Sequence, residues 1–337
     1  MSSLLIGITL LLTAAWGAAS MLRHRSAALR HAVWTCAIAG TLLFAPLRWR
    51  APRRVISRPL PAILTPAVTV AATSQADPGF SPGGIAIAIW LLGSTFVALR
   101  LFLSAAQFRR IARGAKPLAS ASPVPILTSP RLPGPLVMGV FRPAILLPES
   151  ASTWTASRRR AVLAHELSHI RRRDPVILLT GHLATIVYWF HPLCWLAAAR
   201  LRLESERACD DAALRIGVRP SHYAGHLLDL ARLFNPQPAI PMATTSHLES
   251  RVKSILDPLV NRSFAARRTW LAAAVITAAF VAPMTVFNLR AQSPRSPGGH
   301  ISGTVTDPTG AVVPRVQLIA TNSAGRNREL ATSDSAG

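Results

Sequence analysis

The chain has 337 residues, of which 50% are hydrophobic and only 15% are charged. An average soluble domain carries about 25% charged residues, and the apolar residues here cluster into long runs, which excludes an ordinary water-soluble globule and a disordered protein. Lys and Arg number 37 against 14 Asp and Glu, giving a net charge of +23. This excess favours a membrane protein with arginine-rich ends facing anionic headgroups over a nucleic-acid-binding protein, and we expect no direct contact with nucleic acid. The three cysteines in practice exclude a disulfide framework and a four-cysteine zinc site.

Apolar segments of about the length that a membrane-spanning helix needs occur in both halves of the chain. They are Leu4–Leu22, His31–Leu47, Gly84–Ala106 and Thr269–Asn288. The first segment could instead be a cleaved signal peptide, since Gly17–Ser20 resembles a cleavage site. The lack of a positive side chain before it and the arginines after it favour an uncleaved helix with its N-terminus outside. We therefore predict a mainly α-helical, polytopic membrane protein with about four transmembrane helices.

An even number of spans places both termini on one side of the membrane. The large block 107–268 then shares the other side with the short loop 23–30, and the flanking arginines modestly favour the cytoplasm for that side. The expected organisation is a three-helix membrane region at 1–106 with an extracytoplasmic loop at 48–83, a cytoplasmic domain at 107–268, a last transmembrane helix at 269–288 and an extracytoplasmic tail at 289–337.

The most specific pattern is His-Glu-Leu-Ser-His at residues 165–169, inside a predicted helix Ala156–Arg172 that begins after Thr155. Residues four apart share a helix face, so His165 and His169 can bind one metal ion. Glu166 is offset by about 100° around the helix and can take a proton from water beside that ion. The alternative is a surface helix with two ordinary histidines, but a glutamate next to an apolar run is costly without a partner.

A catalytic zinc ion needs a third protein ligand and one open position. The candidates are Glu204, Glu206, Asp210, Asp211, His182 and His191. Glu206 and Asp210 are four apart on a predicted helix Pro192–Ile216, which ends before Gly217. One of the two can bind metal while the other holds a ligating imidazole through its free N–H. We expect three other charged residues of this helix, Glu204, Arg207 and Asp211, to form a solvated face.

The apolar stretch 175–199 between the histidines and Glu206 is long enough to cross a membrane once. If it crossed, Glu206 would lie about 30 Å from the histidines. Either Glu206 is not a ligand, or the stretch is a hairpin that enters and returns. Pro192 disfavours helix at His191 and supplies a break. We predict two helices of about 15–20 residues, folded back on each other and buried against the protein or shallow in the membrane.

Several of these segments together resemble the membrane-embedded zinc metallopeptidases of the beta-lactam sensor-transducer and antirepressor (BlaR/MecR-like) family. The resemblance rests on residues 23–34, 134–148, 165–174, 188–195 and 206–210, and it covers roughly residues 1–290. It implies Zn²⁺ held by His165, His169 and Glu206, with Glu166 as the catalytic base. Asp210 and Asp174 would support the ligands. The fold implied for 107–268 is a gluzincin-like zinc peptidase domain with a small β-hairpin.

The strand candidates of that hairpin are Leu136–Val140 and Ala144–Leu147. An exposed edge there could bind a substrate backbone by strand addition, and the alternative is a simple core hairpin.

The resemblance also implies a multi-pass protein of a bacterial inner membrane, whose cytoplasmic peptidase acts on a protein substrate such as a winged-helix transcriptional repressor, or on itself. The alternative is a catalytically silent membrane signalling scaffold with a peptidase-like shell.

The tail lacks an S-x-x-K motif, so beta-lactam sensing is not expected from it. Instead it shows a strand–turn–strand pattern that begins at residues 301–310 and continues through Val316–Ala320 and Glu329–Thr332. The pattern resembles the start of a carboxypeptidase-regulatory-like β-sandwich, of which at most half is present. Three short strands rarely hold a sandwich core, so we expect a partial β domain.

Overall fold

A computed structural model describes residues 2–50, 54–56, 82–118, 122–233, 241–289, 305–307, 309–321 and 327–332. The helices in these ranges are α1 (Ser2–Met21), α2 (Ala27–Arg50), α3 (Pro82–Arg113), α4 (Ala156–Arg171), α5 (Asp174–Val187), α6 (Pro192–Arg215), α7 (Pro220–Leu233), α8 (Pro241–Leu256) and α9 (Arg267–Val286). The strands are β1 (Arg54–Ile56), β2 (Lys116–Pro117), β3 (Ile126–Ser129), β4 (Leu136–Met138), β5 (Ala144–Pro148), β6 (Phe287–Leu289), β7 (Gln317–Thr321) and β8 (Asn327–Thr332). The described residues up to Asn288 form one compact unit, and those from Leu289 onward belong to a second.

Long apolar helices form where the sequence predicts membrane spans. Among the described residues, three helices are long and apolar enough to cross a membrane, over Leu4–Met21, Ala27–Arg50 and Gly83–Arg113. The second is longer than the predicted segment, because its first turn begins four residues earlier. Most of the fourth predicted span forms α9, which is a helix of 20 residues but is not one of these three. The count of four spans therefore stays a prediction.

Helix α2 lies at the centre of the helical bundle. It packs against α1, α5, α6 and α9. A buried apolar cluster joins Ile8 of α1, Trp34 of α2, Ala184 of α5 and Leu201 of α6. Because α5 and α6 belong to this cluster, the predicted membrane helices and the predicted peptidase block share one core.

The apolar stretch between His169 and Glu206 does not form one straight helix. Helix α5 ends at Val187, α6 begins at Pro192, and the two helices pack against each other. Proline has no N–H to continue a helix and disfavours helical backbone at the residue before it. Accordingly, His191 is extended, with φ −101° and ψ 107°. This reversal returns the chain toward its starting end.

Helix α3 meets the rest of the unit through two tryptophans. The Trp90 indole N–H donates to the carbonyl of Val187 at 2.9 Å, and the Trp189 indole N–H donates to the carbonyl of Trp90 at 3.2 Å. Gly93 leaves room for the Trp189 ring, since a Cβ atom there would lie 2.1 Å from it. The helix is thus anchored at the α5–α6 reversal.

The predicted β-hairpin is part of a larger sheet. Strands β4 and β5 pair antiparallel, but β5 also pairs in parallel with β3, giving the order β2-β3-β5-β4. The sequence predicted only the hairpin, because the four residues of β3 are flanked by Pro125 and Pro130 and give a weak strand pattern. Ile126 and Ile145 pack with Val162 of α4, so the sheet supports the helix that carries the histidines. Strand β4 lies at the edge of this sheet.

Helix α4 begins as its sequence predicts. The Thr155 hydroxyl accepts a hydrogen bond from the backbone N–H of Arg158, which satisfies one of the free donors at the helix start. The helix ends at Arg171, and Arg173 takes a left-handed conformation with φ 58° before α5. This tight turn places Asp174 directly behind the last turn of α4.

The tail forms β structure at part of the predicted positions. Strands β7 and β8 pair antiparallel, and Thr306 pairs with Val312 across a turn. The Asp307 carboxylate accepts hydrogen bonds from the N–H groups of Thr309 and Ala311 in that turn. The start of the predicted tail pattern, residues 301–304, lies outside the described residues, as does most of the predicted loop 48–83.

Gly139 is required where β4 turns toward β5. Its φ is +92°, and a Cβ atom there would lie 2.4 Å from the backbone oxygen of Arg142. Left-handed backbone and a backbone clash both penalise a side chain, so Gly139→Ala should destabilise the fold by about 1–3 kcal/mol. Thermal unfolding of detergent-purified protein measures this. Gly114→Ala is the control, because its Cβ would meet nothing within 4 Å; equal melting temperatures for both variants would contradict the expectation.

Candidate metal centre

Three side chains predicted as ligands meet at one point. Helix α4 presents His165 and His169 on one face, with their Nε2 atoms 3.3 Å apart. Helix α6 adds Glu206, whose Oε2 lies 3.6 Å from His165 Nε2 and whose Oε1 lies 3.8 Å from His169 Nε2. One ligand atom from each residue lies within 4.8 Å of the other two. The α5–α6 reversal is what brings Glu206 back to the histidines.

The donor set fits a zinc ion. Zinc bonds nitrogen and oxygen at about 2.0–2.2 Å, so the ligand atoms of a tetrahedral site lie roughly 3.3–3.6 Å apart. The distances among His165, His169 and Glu206 are close to that range. Two imidazole nitrogens 3.3 Å apart need a proton or a metal cation between them, because their lone pairs would otherwise repel. Two nitrogens and one oxygen also leave the fourth position open, as in catalytic zinc sites.

Asp174 fixes the ring of His169. Its Oδ2 lies 3.0 Å from His169 Nδ1 and accepts hydrogen bonds from the Ser205 hydroxyl at 2.7 Å and from Arg172 Nε at 3.2 Å. Burial would raise the pKa of Asp174, but the hydrogen bond from His169 and the charge of Arg172 outweigh it and lower the pKa to about 2. An ionised carboxylate requires the proton of His169 on Nδ1, which leaves Nε2 free for metal.

Asp210 and Tyr223 fix the ring of His165. His165 Nδ1 lies 3.2 Å from Asp210 Oδ1 and 3.0 Å from the Tyr223 hydroxyl, which itself donates to Asp210 at 2.9 Å. Burial opposes the charge of Asp210, but Arg251 and its hydrogen bonds hold the pKa well below the usual range. The carboxylate is therefore placed to accept the Nδ1 proton, and His165 Nε2 is the ring nitrogen on the side of Glu206 and His169.

Arg251 of α8 is a member of the site that sequence reasoning missed. It donates to both oxygens of Asp210, at 2.8 and 2.7 Å, and lies 3.0 Å from Glu206 Oε2. Although burial opposes the charge of Glu206, Arg251 and the two imidazoles keep the pKa of Glu206 below its usual range. No periodic pattern links Arg251 to residues more than 40 positions earlier, so spacing could not reveal it.

A second cluster of potential ligands shares His169 with the first. It consists of His169, Asp174 and Cys209. The Cys209 thiol lies 3.5 Å from Asp174 Oδ2 as a donor, and burial raises its pKa well above the usual range. A protonated thiol and an imidazole N–H that both donate to one carboxylate do not bind metal. Asp174 and Cys209 instead lie on the Nδ1 side of the His169 ring, away from Glu206.

Glu166 lies beside the ligands on α4. It is 6% exposed, and burial raises the pKa of its carboxyl group. Glu166 and the three ligands line one cleft of about 880 Å³. Strand β4, the end of α3 and helix α7 contribute to its walls, and most of the lining is apolar. The cleft therefore combines a raised-pKa carboxyl group, a metal-binding set and room for a substrate.

The other proposed ligands lie elsewhere. His191 Nε2 is 3.0 Å from the Thr9 hydroxyl of α1, and within the described part of the chain neither His191 nor His182 belongs to a cluster of potential ligands.

The expectation that Glu204, Arg207 and Asp211 form a solvated face was wrong. Glu204 and Asp211 are 4% and 5% exposed. Arg207 and Arg30 both contact Glu204 at 2.8 Å, and Asp211 lies 3.5 Å from a distant arginine. Buried carboxylates persist when they are paired, and two of these partners, Arg30 and Arg262, come from other parts of the chain.

The first turn of α2 touches the metal centre. Arg30 pairs with Glu204 and also donates to the carbonyl groups of Leu22 and Arg23 in the α1–α2 loop. The fully buried His31 lies with Nε2 3.7 Å from Asp174 Oδ1. The α1–α2 loop and the metal centre are thus at the same end of the helical bundle.

Purified protein should contain about one zinc ion per chain. His165→Ala, His169→Ala and Glu206→Ala should each lose most of it, because each removes one of three ligands. Elemental analysis by mass spectrometry measures the zinc content. His222→Ala is the control, since this histidine is exposed on α7; full zinc occupancy in His165→Ala would contradict the ligand assignment.

Asp210→Asn should weaken zinc binding by about 10- to 100-fold, because an amide is a poorer acceptor for the Nδ1 proton of His165. A titration against a competing chelator measures the affinity. Asp211→Asn is the matched control on the same helix, since Asp211 pairs with Arg262. Equal affinities of the two variants would show that Asp210 does not support the ligand.

Comparisons with known proteins show the family of this chain. The model of the family described as BlaR1 peptidase M56 matches residues 22–255. The chain is 41% identical over 87 residues to "Regulatory protein BlaR1" of Bacillus licheniformis, covering 26% of this chain and 14% of that protein. It is 25% identical over 100 residues to "Methicillin resistance mecR1 protein" of Staphylococcus aureus, covering 29% of this chain and 17% of that protein. The matched segments are thus less than a fifth of either relative. The chain belongs to the BlaR1 peptidase M56 family.

Proposed function

We propose that this protein is an integral-membrane zinc endopeptidase of the antirepressor type, which cleaves a cytoplasmic regulator, itself, or both. The observation that carries the proposal is the meeting of two imidazoles and a carboxylate in a cleft that also contains Glu166. Membership of a peptidase family supports hydrolysis of peptide bonds. The name of the Bacillus relative, a regulatory protein, supports a role in signalling.

His165, His169 and Glu206 would hold the zinc ion. Zinc bound there supplies a Lewis acid that polarises the scissile carbonyl group and makes water more acidic. Glu166 takes the proton of the attacking water and later delivers it to the leaving amine. Its raised pKa suits both steps, because a carboxyl group with a pKa nearer neutrality accepts and returns a proton more readily.

A donor from the protein stabilises the oxyanion that develops on the substrate. Sequence alone leaves His191, His222, Tyr223 and His226 as candidates. Only Tyr223 and His226 line the cleft among them, and the Tyr223 hydroxyl already donates to Asp210. Burial lowers the pKa of His226, so the neutral ring retains one N–H to donate. We assign this role to His226.

Strand β4 provides a backbone edge for the substrate. It pairs with β5 on one side, and residues 136–140 line the cleft. Main-chain groups on the free side of an edge strand can pair with an extended peptide. A substrate strand added there would run past the metal centre. This arrangement favours strand addition over a simple core hairpin.

The proposed orientation places the peptidase centre in the cytoplasm and both termini outside. Arg30 and His31 join the start of α2 to Glu204 and Asp174, so the centre shares one end of the bundle with the loop 23–30. Arginines flank this end more densely, as cytoplasmic loops generally require. A cytoplasmic protein such as a winged-helix repressor would be accessible to the cleft in this orientation.

Glu166→Gln should lower peptide hydrolysis by about 10²- to 10⁴-fold without loss of zinc, because it removes the proton acceptor but no ligand. Cleavage of internally quenched peptide libraries by the full chain, and mass spectrometry of its own fragments, measure this. Glu249→Gln is the control, since Glu249 is exposed on α8 and pairs with Lys253. Zinc-loaded wild-type protein with no Glu166-dependent cleavage would instead support a silent signalling scaffold.

A further inference from the structure

The charged residues that line the cleft divide into two groups. Glu166, Asp174, Glu206 and Arg251 belong to the metal centre and its supports. The others are Arg109, at the end of α3, and Arg202 of α6. Among the residues that the structure describes, the Asp, Glu, Lys and Arg side chains of the lining outside the metal centre are therefore all positive.

The two arginines differ from Arg251 in how their charge is balanced. Arg251 is neutralised by Asp210 at 2.7 Å and by Glu206 at 3.0 Å. Arg109 and Arg202 are exposed and make no ion pair within the described ranges of the chain. Their charges consequently remain available to a molecule that enters the cleft.

Arg202 lies close to the reacting centre. It precedes the ligand Glu206 by four residues on α6, which places both side chains on one helix face about one turn apart. Arg109 reaches the cleft from a different helix, next to the lining residues Ala105 and Phe108. A peptide laid along β4 toward the metal centre therefore meets unpaired guanidinium groups from two elements.

We infer that the cleft selects peptide segments that carry a Glu or Asp side chain near the scissile bond, with Arg109 and Arg202 pairing with its carboxylate. The inference rests on the proposed endopeptidase function and specifies its substrate class. Guanidinium groups bind carboxylates through paired, charge-assisted hydrogen bonds. Lipid phosphate is the competing ligand for Arg109, which lies four residues before the end of the candidate membrane helix α3, but the position of Arg109 in the lining of the cleft favours the peptide.

The test uses the full, zinc-loaded chain in lipid nanodiscs and matched internally quenched peptides that differ only by Glu, Gln or Lys at each position. We expect kcat/KM to be about three- to tenfold higher for the best Glu peptide than for its Gln counterpart. In the Arg202→Glu and Arg109→Glu proteins, the preference for Glu peptides should disappear, and the Lys peptides should become the better substrates. Arg200→Glu and Arg110→Glu are the controls, because they lie on the same helices, are exposed and do not line the cleft.

Binding of the same peptides to the Glu166→Gln protein, followed by fluorescence anisotropy, separates this inference from the proposed function. One outcome is that the wild-type protein hydrolyses no peptide while the Glu peptides still bind more tightly than the Gln peptides, and Arg202→Glu removes that difference in affinity. That result would support selection of acidic peptides and contradict the proposed peptidase activity. Equal binding and equal kcat/KM for the Glu, Gln and Lys peptides would overturn the inference. A second result would also overturn it. If Arg109→Glu and Arg202→Glu change the binding of all peptides equally, and only when the nanodisc contains phosphatidylglycerol, the two arginines bind lipid phosphate.

Discussion

His165, His169 and Glu206 can meet only because the apolar segment between them doubles back. A straight continuation of α5 would carry Glu206 away from α4, across about 30 Å of hydrocarbon. The chain instead reverses before Pro192, and α6 returns along α5 with Glu206 on its inner face. Everything that the proposed hydrolysis requires, including the supports of both imidazoles, depends on this reversal.

The supports also connect the centre to α2, one of the candidate membrane helices. Asp174 holds His169 and lies 3.7 Å from His31, while Glu204, two residues before a ligand, pairs with Arg30. These contacts bury charged groups, which is unfavourable unless every partner stays in place. The first turn of α2 therefore helps to hold the centre in place. Its contacts join this candidate membrane helix directly to Glu204 and Asp174, which lie next to the candidate ligands.

Local features of the site were predictable from sequence. Glu206 and Asp210 were also predicted, from their spacing on one helix and the family resemblance, whereas Arg251 and the partner of Glu204 were not. Thr155 predicted the start of α4, and Pro192 predicted the break before α6, because each acts on its neighbours in the chain. Arg251 could not be found in this way, since its contacts with Asp210 cross 41 residues. The burial of Glu204 was missed for the same reason, because its partner Arg30 lies 174 residues away.

The coordination of bound zinc tests the central claim most directly. X-ray absorption at the zinc edge, measured on the full chain, reports the atoms that surround the ion. The account predicts two imidazoles together with oxygen ligands, all at about 2.0–2.2 Å, and no sulfur. A sulfur shell at about 2.3 Å, or a single imidazole, would show that the ion is held by other residues and would contradict the account.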